Sequence, residues 1–249
     1  MTLPGIGGPL LLEYGTCLDT GRARSEQQDN LRVIAGPAPN SWLLVVADGV
    51  GGLPGGAAAS DTVVAAIEAA MESCTKSIAD CAAAGIVEGN AAIVARHAET
   101  GVTSGSTVAI AAVENGAVQT LHAGDSRAYL MRDGTLRQLT QDHSVVGEAV
   151  RDGRLSAEEA RVHPQRNAIT RALGVADKVE IERSPVLPLL RGDALLVCSD
   201  GLHGLIDADE IAAFLGQEGT AEARAASLAA AANRAGGTDN IAVIVALVR

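Results

Sequence analysis

Two dipeptides restrict this chain most tightly: Asn115-Gly116 and Asp133-Gly134, each set between apolar runs of strand length. Asn-Gly and Asp-Gly are the pairs that accept positive φ at both central positions of a type I′ turn, whose twist matches that of the strands on either side. Thr107 to Glu114 is therefore predicted to return through Asn115-Gly116 to Val118–His122, and Arg127 to Arg132 through Asp133-Gly134 to Leu136–Leu139. The strands of such a chain are antiparallel and meandering.

The remaining elements build around those hairpins. Leu31 to Ile34 and Trp42 to Ala47 read as short strands on either side of the turn GPAPNS. Ala57 to Glu72 and Ile78 to Glu99 carry Ala-rich helical patterns, the second interrupted by Gly85 and Gly89. From Gln141 to Leu173 the chain turns polar, with short helical pieces at Val145 to Arg151 and Ala157 to Arg161, and reads as a flap lying over a site. A strand at Ala194 to Cys198, helices at Ala208 to Leu215 and Ala221 to Arg234, and a buried strand at Ile241 to Val248 complete the order. No repeat or low-complexity tract interrupts it, nothing forces a cut, and residues 1–249 are read as one domain. Hydrophobic residues make up 47% of the chain, yet its aromatic residues are Tyr14, Trp42, Tyr129 and Phe214, so the core must be aliphatic.

Charge and cysteine usage narrow the partners. The net charge is −11 and the lysines are Lys76 and Lys178, with no basic run to neutralise phosphates, which excludes nucleic acid as a partner. Cys17, Cys74, Cys81 and Cys198 are irregularly spaced and contain no CxxC pair, so they are expected as buried free thiols in a reducing cytoplasm. The start MTLPGIGGPLLLE has no basic n-region and too short an apolar stretch for export. No apolar run approaches the roughly 20 residues that span a bilayer, and no membrane association is expected.

Four aspartates sit where an apolar run meets a glycine-rich or polar turn: Asp48 in VVADGVGG, Asp125 in HAGDSRAYL, Asp200 in VCSDGL and Asp239 in GGTDNIAVIV. Taken singly, an Asp-Gly pair after a strand is more often a turn than a ligand. Their joint order is harder to assign to independent turns, and convergent carboxylates suit a hard divalent ion. The histidines at 97, 122, 143, 163 and 203 form no HExxH pair, which argues against a His-rich zinc site. His143 is expected to order the flap, whereas His122 and His203 lie beside the metal motifs.

With these motifs in place the chain resembles the bacterial branch of the metal-dependent Ser/Thr protein phosphatases of the PP2C type. The resemblance runs through GRARSEQQDN (21–30), VVADGVGG (45–52), SGSTVAIA (104–111), GDSRAYL (124–130), LTQDHS (139–144), RNAITRALG (166–174), CSDGL (198–202) and GGTDNIAV (236–243). It implies an α+β fold, a four-layer αββα sandwich of two antiparallel sheets flanked by helices. It also implies two Mn²⁺ or Mg²⁺ ions, bridged by Asp48, with the Gly49 carbonyl on one ion and Asp200 and Asp239 on the other. Asp125 with Asp200 would hold a weaker third ion, Asp29 would bind metal waters, and Arg24 would grip the substrate phosphate. The activity implied is hydrolysis of phosphoserine and phosphothreonine in proteins by metal-activated water in one step, opposing a Ser/Thr kinase that shares those substrates. A non-catalytic phosphoprotein-binding regulator on the same fold is the alternative, and retention of all four aspartates favours the enzyme. Gln27 stands where the family usually has Asn, and Val50 where eukaryotic relatives carry a histidine, so the leaving oxygen must take its proton from water or another group.

Overall fold

The computed structural model describes residues 10–50 and 55–249. The stretch read for an export signal, up to residue 9, and the Gly51-Gly52 pair after Asp48 lie outside the described residues. Among the described residues eleven strands and seven helices follow in the order β1 (Leu12–Asp19), β2 (Asp29–Ala35), β3 (Trp42–Asp48), α1 (Gly56–Glu72), α2 (Ile78–Thr100), β4 (Val108–Glu114), β5 (Ala117–Ala123), β6 (Arg127–Arg132), β7 (Thr135–Gln138), α3 (Val145–Arg151), α4 (Ala157–Val162), β8 (Glu182–Arg183), β9 (Leu187–Pro188), β10 (Ala194–Cys198), α5 (Asp200–His203), α6 (Ala208–Leu215), α7 (Ala221–Arg234) and β11 (Ile241–Val248). One sheet has the order β1-β11-β10-β6-β7 and the other β2-β3-β4-β5-β8, with β9 pairing to β5. Every ladder is antiparallel. Both hairpins turn where the dipeptides predict, with φ of 54° and 72° at Asn115-Gly116 and 50° and 78° at Asp133-Gly134.

The central strands are apolar along their whole length because both of their faces are covered. In β3, Leu44 and Val46 join Ala109, Ala111, Ala242, Ile244 and Val197 in the core between the sheets. Their neighbours Leu43, Val45 and Ala47 pack on the other side, against Val63 and Ile67 of α1 and Ile86 of α2. Leu228 of α7 and Ile211 of α6 cover Val243, Val245 and Leu196 in the same way on the opposite outer face. This is the expected four-layer sandwich, with an aliphatic core rich in alanine. The flap leaves it at Gln141 and returns at Leu173, whose amide donates to the Ser106 carbonyl at 2.8 Å.

Apart from the short elements α5, β8 and β9, which the sequence reading left unassigned, the structure departs from it in four places. β1 was not predicted, since Gly15 breaks its apolar pattern; a Cβ there would lie 2.1 Å from the backbone nitrogen of Glu222 at the start of α7. α2 runs unbroken through Gly85 and Gly89, because those glycines form the face that approaches α1. A Cβ on Gly85 would stand 2.6 Å from the Ile67 Cα. Cys74 and Cys81 are not free thiols but a disulfide, their Cα atoms brought to 5.7 Å by the short α1–α2 connection, within bonding range. Cys17 and Cys198 are free, as expected. Finally, α2 is long and apolar enough by composition to span a membrane, but more than half of its apolar window is buried within the protein, as in a core helix.

Gly85→Ala sets two effects against each other. Alanine is the better helix former by about 1 kcal/mol, but a methyl pressed onto backbone that cannot swing aside costs about 1–3 kcal/mol. The clash is expected to win, lowering the thermal midpoint by roughly 2–8 °C. An unchanged or raised midpoint, followed by circular dichroism, would contradict the close α1–α2 packing.

Candidate active site

The β2–β3 register sets Asp29 directly across from Asp48, so two carboxylates face each other at the ends of neighbouring strands. Asp48 is fixed through its backbone. Its carbonyl accepts from the Thr107 amide at 2.8 Å and the Ser106 hydroxyl at 3.1 Å, and its amide donates to Thr107 Oγ1 at 3.3 Å. Thr107 Oγ1 in turn lies 2.7 Å from Ser126 Oγ, which ties the Asp48 turn to the loop carrying Asp125. A Cβ on Gly49 would sit 2.4 Å from the Gly56 carbonyl oxygen, so no larger residue fits after Asp48.

Asp200 and Asp239 come from the other sheet, at the end of β10 and just before β11. Ser199, next to Asp200 and fully buried, donates its hydroxyl to Asp29 Oδ2 at 2.7 Å and accepts from the Ala242 amide at 2.9 Å, bridging the two sheets at the site. Asn240 fastens the first motif. Its Oδ1 accepts from the Gln28 amide at 2.8 Å and its Nδ2 donates to the carbonyls of Thr20 and Glu26 at 2.9 Å. Asp125 is held from two sides, with His203 Nε2 at 3.0 Å from its carbonyl and the Gly124 amide donating to His143 Nδ1 at 3.1 Å. Asp125, Asp200 and Asp239 line one cleft.

Carboxylates assembled in this way repel. Burial first, and then the Asp200 charge, raises Asp29 to about 7; burial and Asp239 raise Asp200 to about 6. Asp48 is pushed well above the ordinary carboxylate range by burial and by the charges of Asp29, Asp200, Asp125 and Asp239, and Asp125 by burial and Asp200. Such a set is at odds with itself without a cation. An all-oxygen donor group with this charge fits hard divalent ions such as Mn²⁺ or Mg²⁺.

Arg24 stands at the rim, where its Nη2 donates to Asp239 Oδ2 at 2.8 Å. Gln27, the unusual residue of the first motif, keeps the local turn closed through its own side chain, since its Oε1 accepts from the Asp29 amide at 2.9 Å. Val50, which follows Gly49, brings no side-chain proton donor to the site. His203 cannot take that role, because burial and the Arg127 charge hold it neutral, down to about 3. Sequence reasoning missed Ser106, Thr107, Ser199 and Asn240 as supports of the site, although each lies within a quoted motif.

A second cluster sits under the flap: His122, His143 and Glu182, with ligand atoms within 4.8 Å of one another. It is poorly shaped for a metal. The two imidazoles are stacked with centroids 4.6 Å apart and planes 6° from parallel, so their in-plane lone pairs cannot converge on one ion. The Gly124 amide occupies His143 Nδ1, leaving Nε2 to face Glu182 at 3.1 Å with the Arg171 guanidinium also 3.1 Å away. His143 therefore ties the flap to the Asp125 loop, the ordering role expected of it, and its own carbonyl accepts from the Thr170 amide on the returning limb of the flap at 2.8 Å.

Comparison with known proteins agrees with this geometry. The family model for protein phosphatase 2C matches residues 21–233. A serine/threonine phosphatase stp of Listeria welshimeri is 37% identical over 235 residues, covering 91% of this chain and 92% of that protein. The structure of the serine/threonine phosphatase Stp1 from Staphylococcus aureus superposes with a TM-score of 0.90 at 30% identity, covering 99% of this chain and 100% of that one. The catalytic domain of the phosphatase PstP, solved in complex with 2 manganese ions, gives a TM-score of 0.82 at 32% identity, covering 96% of this chain and 99% of that one.

The repulsion can be measured without substrate. In the metal-free protein the raised carboxyls stabilise the fold while protonated, and that contribution is lost as pH rises from about 4 towards the value of about 7 reached by Asp29. Asp48→Asn is therefore expected to raise the thermal midpoint of chelated protein at pH 8 by several degrees, the scale of about 1–2 kcal/mol, and by clearly less at pH 5. Equal effects at the two pH values, or destabilisation at pH 8, would contradict the burial of like charges.

Proposed function

The chain belongs to the protein phosphatase 2C family and is a metal-dependent Ser/Thr protein phosphatase acting on phosphorylated proteins, and we propose that Asp48, Gly49, Asp200 and Asp239 hold two Mn²⁺ or Mg²⁺ ions in it. The observation that carries this reading is the meeting of aspartates from both sheets at one end of the sandwich, where burial and mutual repulsion leave them in need of cations. Asp48 would serve both ions, the Gly49 carbonyl one of them and the pair Asp200 and Asp239 the other, and Asp125 with Asp200 would serve a third, weaker ion. When bound, the ions supply an activated water at neutral pH and screen the phosphoryl oxygens.

The side chains do the rest. Asp29, anchored by Ser199, orients the waters of the site by accepting their protons in hydrogen bonds. Arg24 reaches the phosphate with a planar fork suited to two of its oxygens, and Asp239 beside it keeps the guanidinium aimed at the cleft. With no side-chain acid at Val50, the departing seryl or threonyl oxygen takes its proton from solvent. A single domain, a cytoplasmic location and a Ser/Thr kinase acting on the same substrates complete the proposal. The Cys74–Cys81 bridge bears on location, because a reducing compartment keeps such a pair as thiols, so a bridge found in protein isolated under thiol-trapping conditions would count against the cytoplasm.

Hydrolysis of nitrophenyl phosphate and of a phosphothreonine peptide tests the assignment. Activity is expected to require added Mn²⁺ or Mg²⁺, to vanish on chelation, and to fall at least a hundredfold in Asp48→Ala, with the fold intact by circular dichroism. Arg24→Ala is expected to raise KM more than it lowers kcat, since the fork serves bound substrate and transition state alike. Turnover near the parent rate after exhaustive chelation, or in Asp48→Ala, would sink the metal assignment. A loss confined to kcat in Arg24→Ala would remove Arg24 from substrate binding.

A further inference from the structure

A groove of about 670 Å³ runs from the aspartate cluster outward between the flap and the α5–α6 segment. Its inner end carries Asp125, Asp200 and Asp239, and its floor is apolar, with Val146, Val150, Ile206 and Ile211. The flap wall has the opposite charge. Arg151 at the end of α3, Arg161 on α4 and Arg166 just beyond it all line the groove. All three are exposed, and among the described residues none has a carboxylate within 4.0 Å, although the charge of Arg151 reaches Glu182. The fourth guanidinium of the lining is already engaged, since Arg127 makes a two-pronged contact with Asp142 at 2.8 and 2.6 Å. Across the groove, Asp207 is occupied as the N-cap of α6, accepting from the Glu210 amide at 2.9 Å.

Three guanidinium groups without a close ion pair give this one wall a local sign opposite to the net charge of −11. An exposed arginine is ordinarily no more than a solvated side chain. Here, however, α4 buries no residue of its own. It is kept helical by its capping box, in which Ser156 and Glu159 bond reciprocally, and no contribution from core packing explains why it lies along the groove.

Resting on the phosphatase reading, we propose that this groove binds the polypeptide flanking the phosphorylated residue and selects segments with carboxylate side chains close to it. The phosphate enters at the aspartate end, where bound cations would offset the carboxylate charge. The flanking chain lies over the apolar floor, and its carboxylates meet Arg151, Arg161 and Arg166. The same arrangement disfavours segments with lysine or arginine at those positions.

The test uses two phosphothreonine peptides, identical except for glutamates or lysines around the phosphorylated residue, compared on the full chain with Mn²⁺. The parent is expected to prefer the acidic peptide by roughly three- to thirtyfold in kcat/KM, the scale of a few exposed ion pairs acting together. The preference should shrink as NaCl is raised from about 0.05 to 0.5 M. In the variant R151E/R161E/R166E it should disappear or invert. Because each protein is compared with itself across the pair, a general loss of activity does not enter the ratio. Fluorescence anisotropy of the same labelled peptides gives a readout independent of turnover. If neither peptide is hydrolysed while the parent still binds the acidic one more tightly, the phosphatase reading fails and the groove assignment stands. Equal treatment of both peptides by the parent in rate and binding, or a preference that survives charge reversal, overturns the proposal.

Discussion

Like-charge repulsion among buried carboxylates is the interaction on which the rest of this structure turns. Asp29, Asp48, Asp125 and Asp200 are each driven towards the protonated form by burial and by one another. A flexible chain would relieve that strain by moving them apart. Here the relief is blocked by backbone geometry. The β2–β3 register fixes Asp29 against Asp48, β10 and β11 deliver Asp200 and Asp239 from the second sheet, and Ser199 pins the two sheets together. The aliphatic core between the sheets supplies the rigidity, since side chains at native packing density transmit strain and do not absorb it. What the fold cannot relieve, divalent cations would, and the proposed assignment ties stability and metal dependence to the same few oxygen atoms.

The outer parts of the molecule divide the remaining work. α1 and α2, joined by close glycine contacts and a disulfide, cover one sheet and present no titratable group to the cleft. The flap is built differently: its helices are short, α4 buries nothing, and it is tied down by hydrogen bonds, several of them through His143. A segment held in this way opens locally at lower cost than a packed helix. This suits the wall of a substrate groove, where the chain must accept different partners while the catalytic floor stays fixed.

Much of this was legible in the sequence wherever a local rule had a single outcome. Asn115-Gly116 and Asp133-Gly134 admit one hairpin geometry, and the ordered aspartate motifs suggest carboxylates that converge, as Asp48, Asp125, Asp200 and Asp239 do in the fold. What escaped depended on contacts between distant residues. β1 was hidden because Gly15 looks like a strand breaker until α7 is seen lying against it. Gly85 and Gly89 read as interruptions for the same reason, when they are the surface that lets α1 approach. The Cys74–Cys81 pair carries no spacing signature, and only the tight α1–α2 turn brings the two together. Ser199 and Asn240 could not be singled out among ordinary serines and asparagines without knowing that two sheets meet at them.

The central claim, that the fold holds its aspartates together for divalent cations, is tested most directly by anomalous diffraction at the manganese edge from crystals grown with Mn²⁺. The account predicts strong peaks within bonding distance of the Asp48, Asp200 and Asp239 carboxylates, and none at the stacked pair His122 and His143. Manganese bound at that histidine pair, or no anomalous signal among the aspartates at saturating metal, would contradict it.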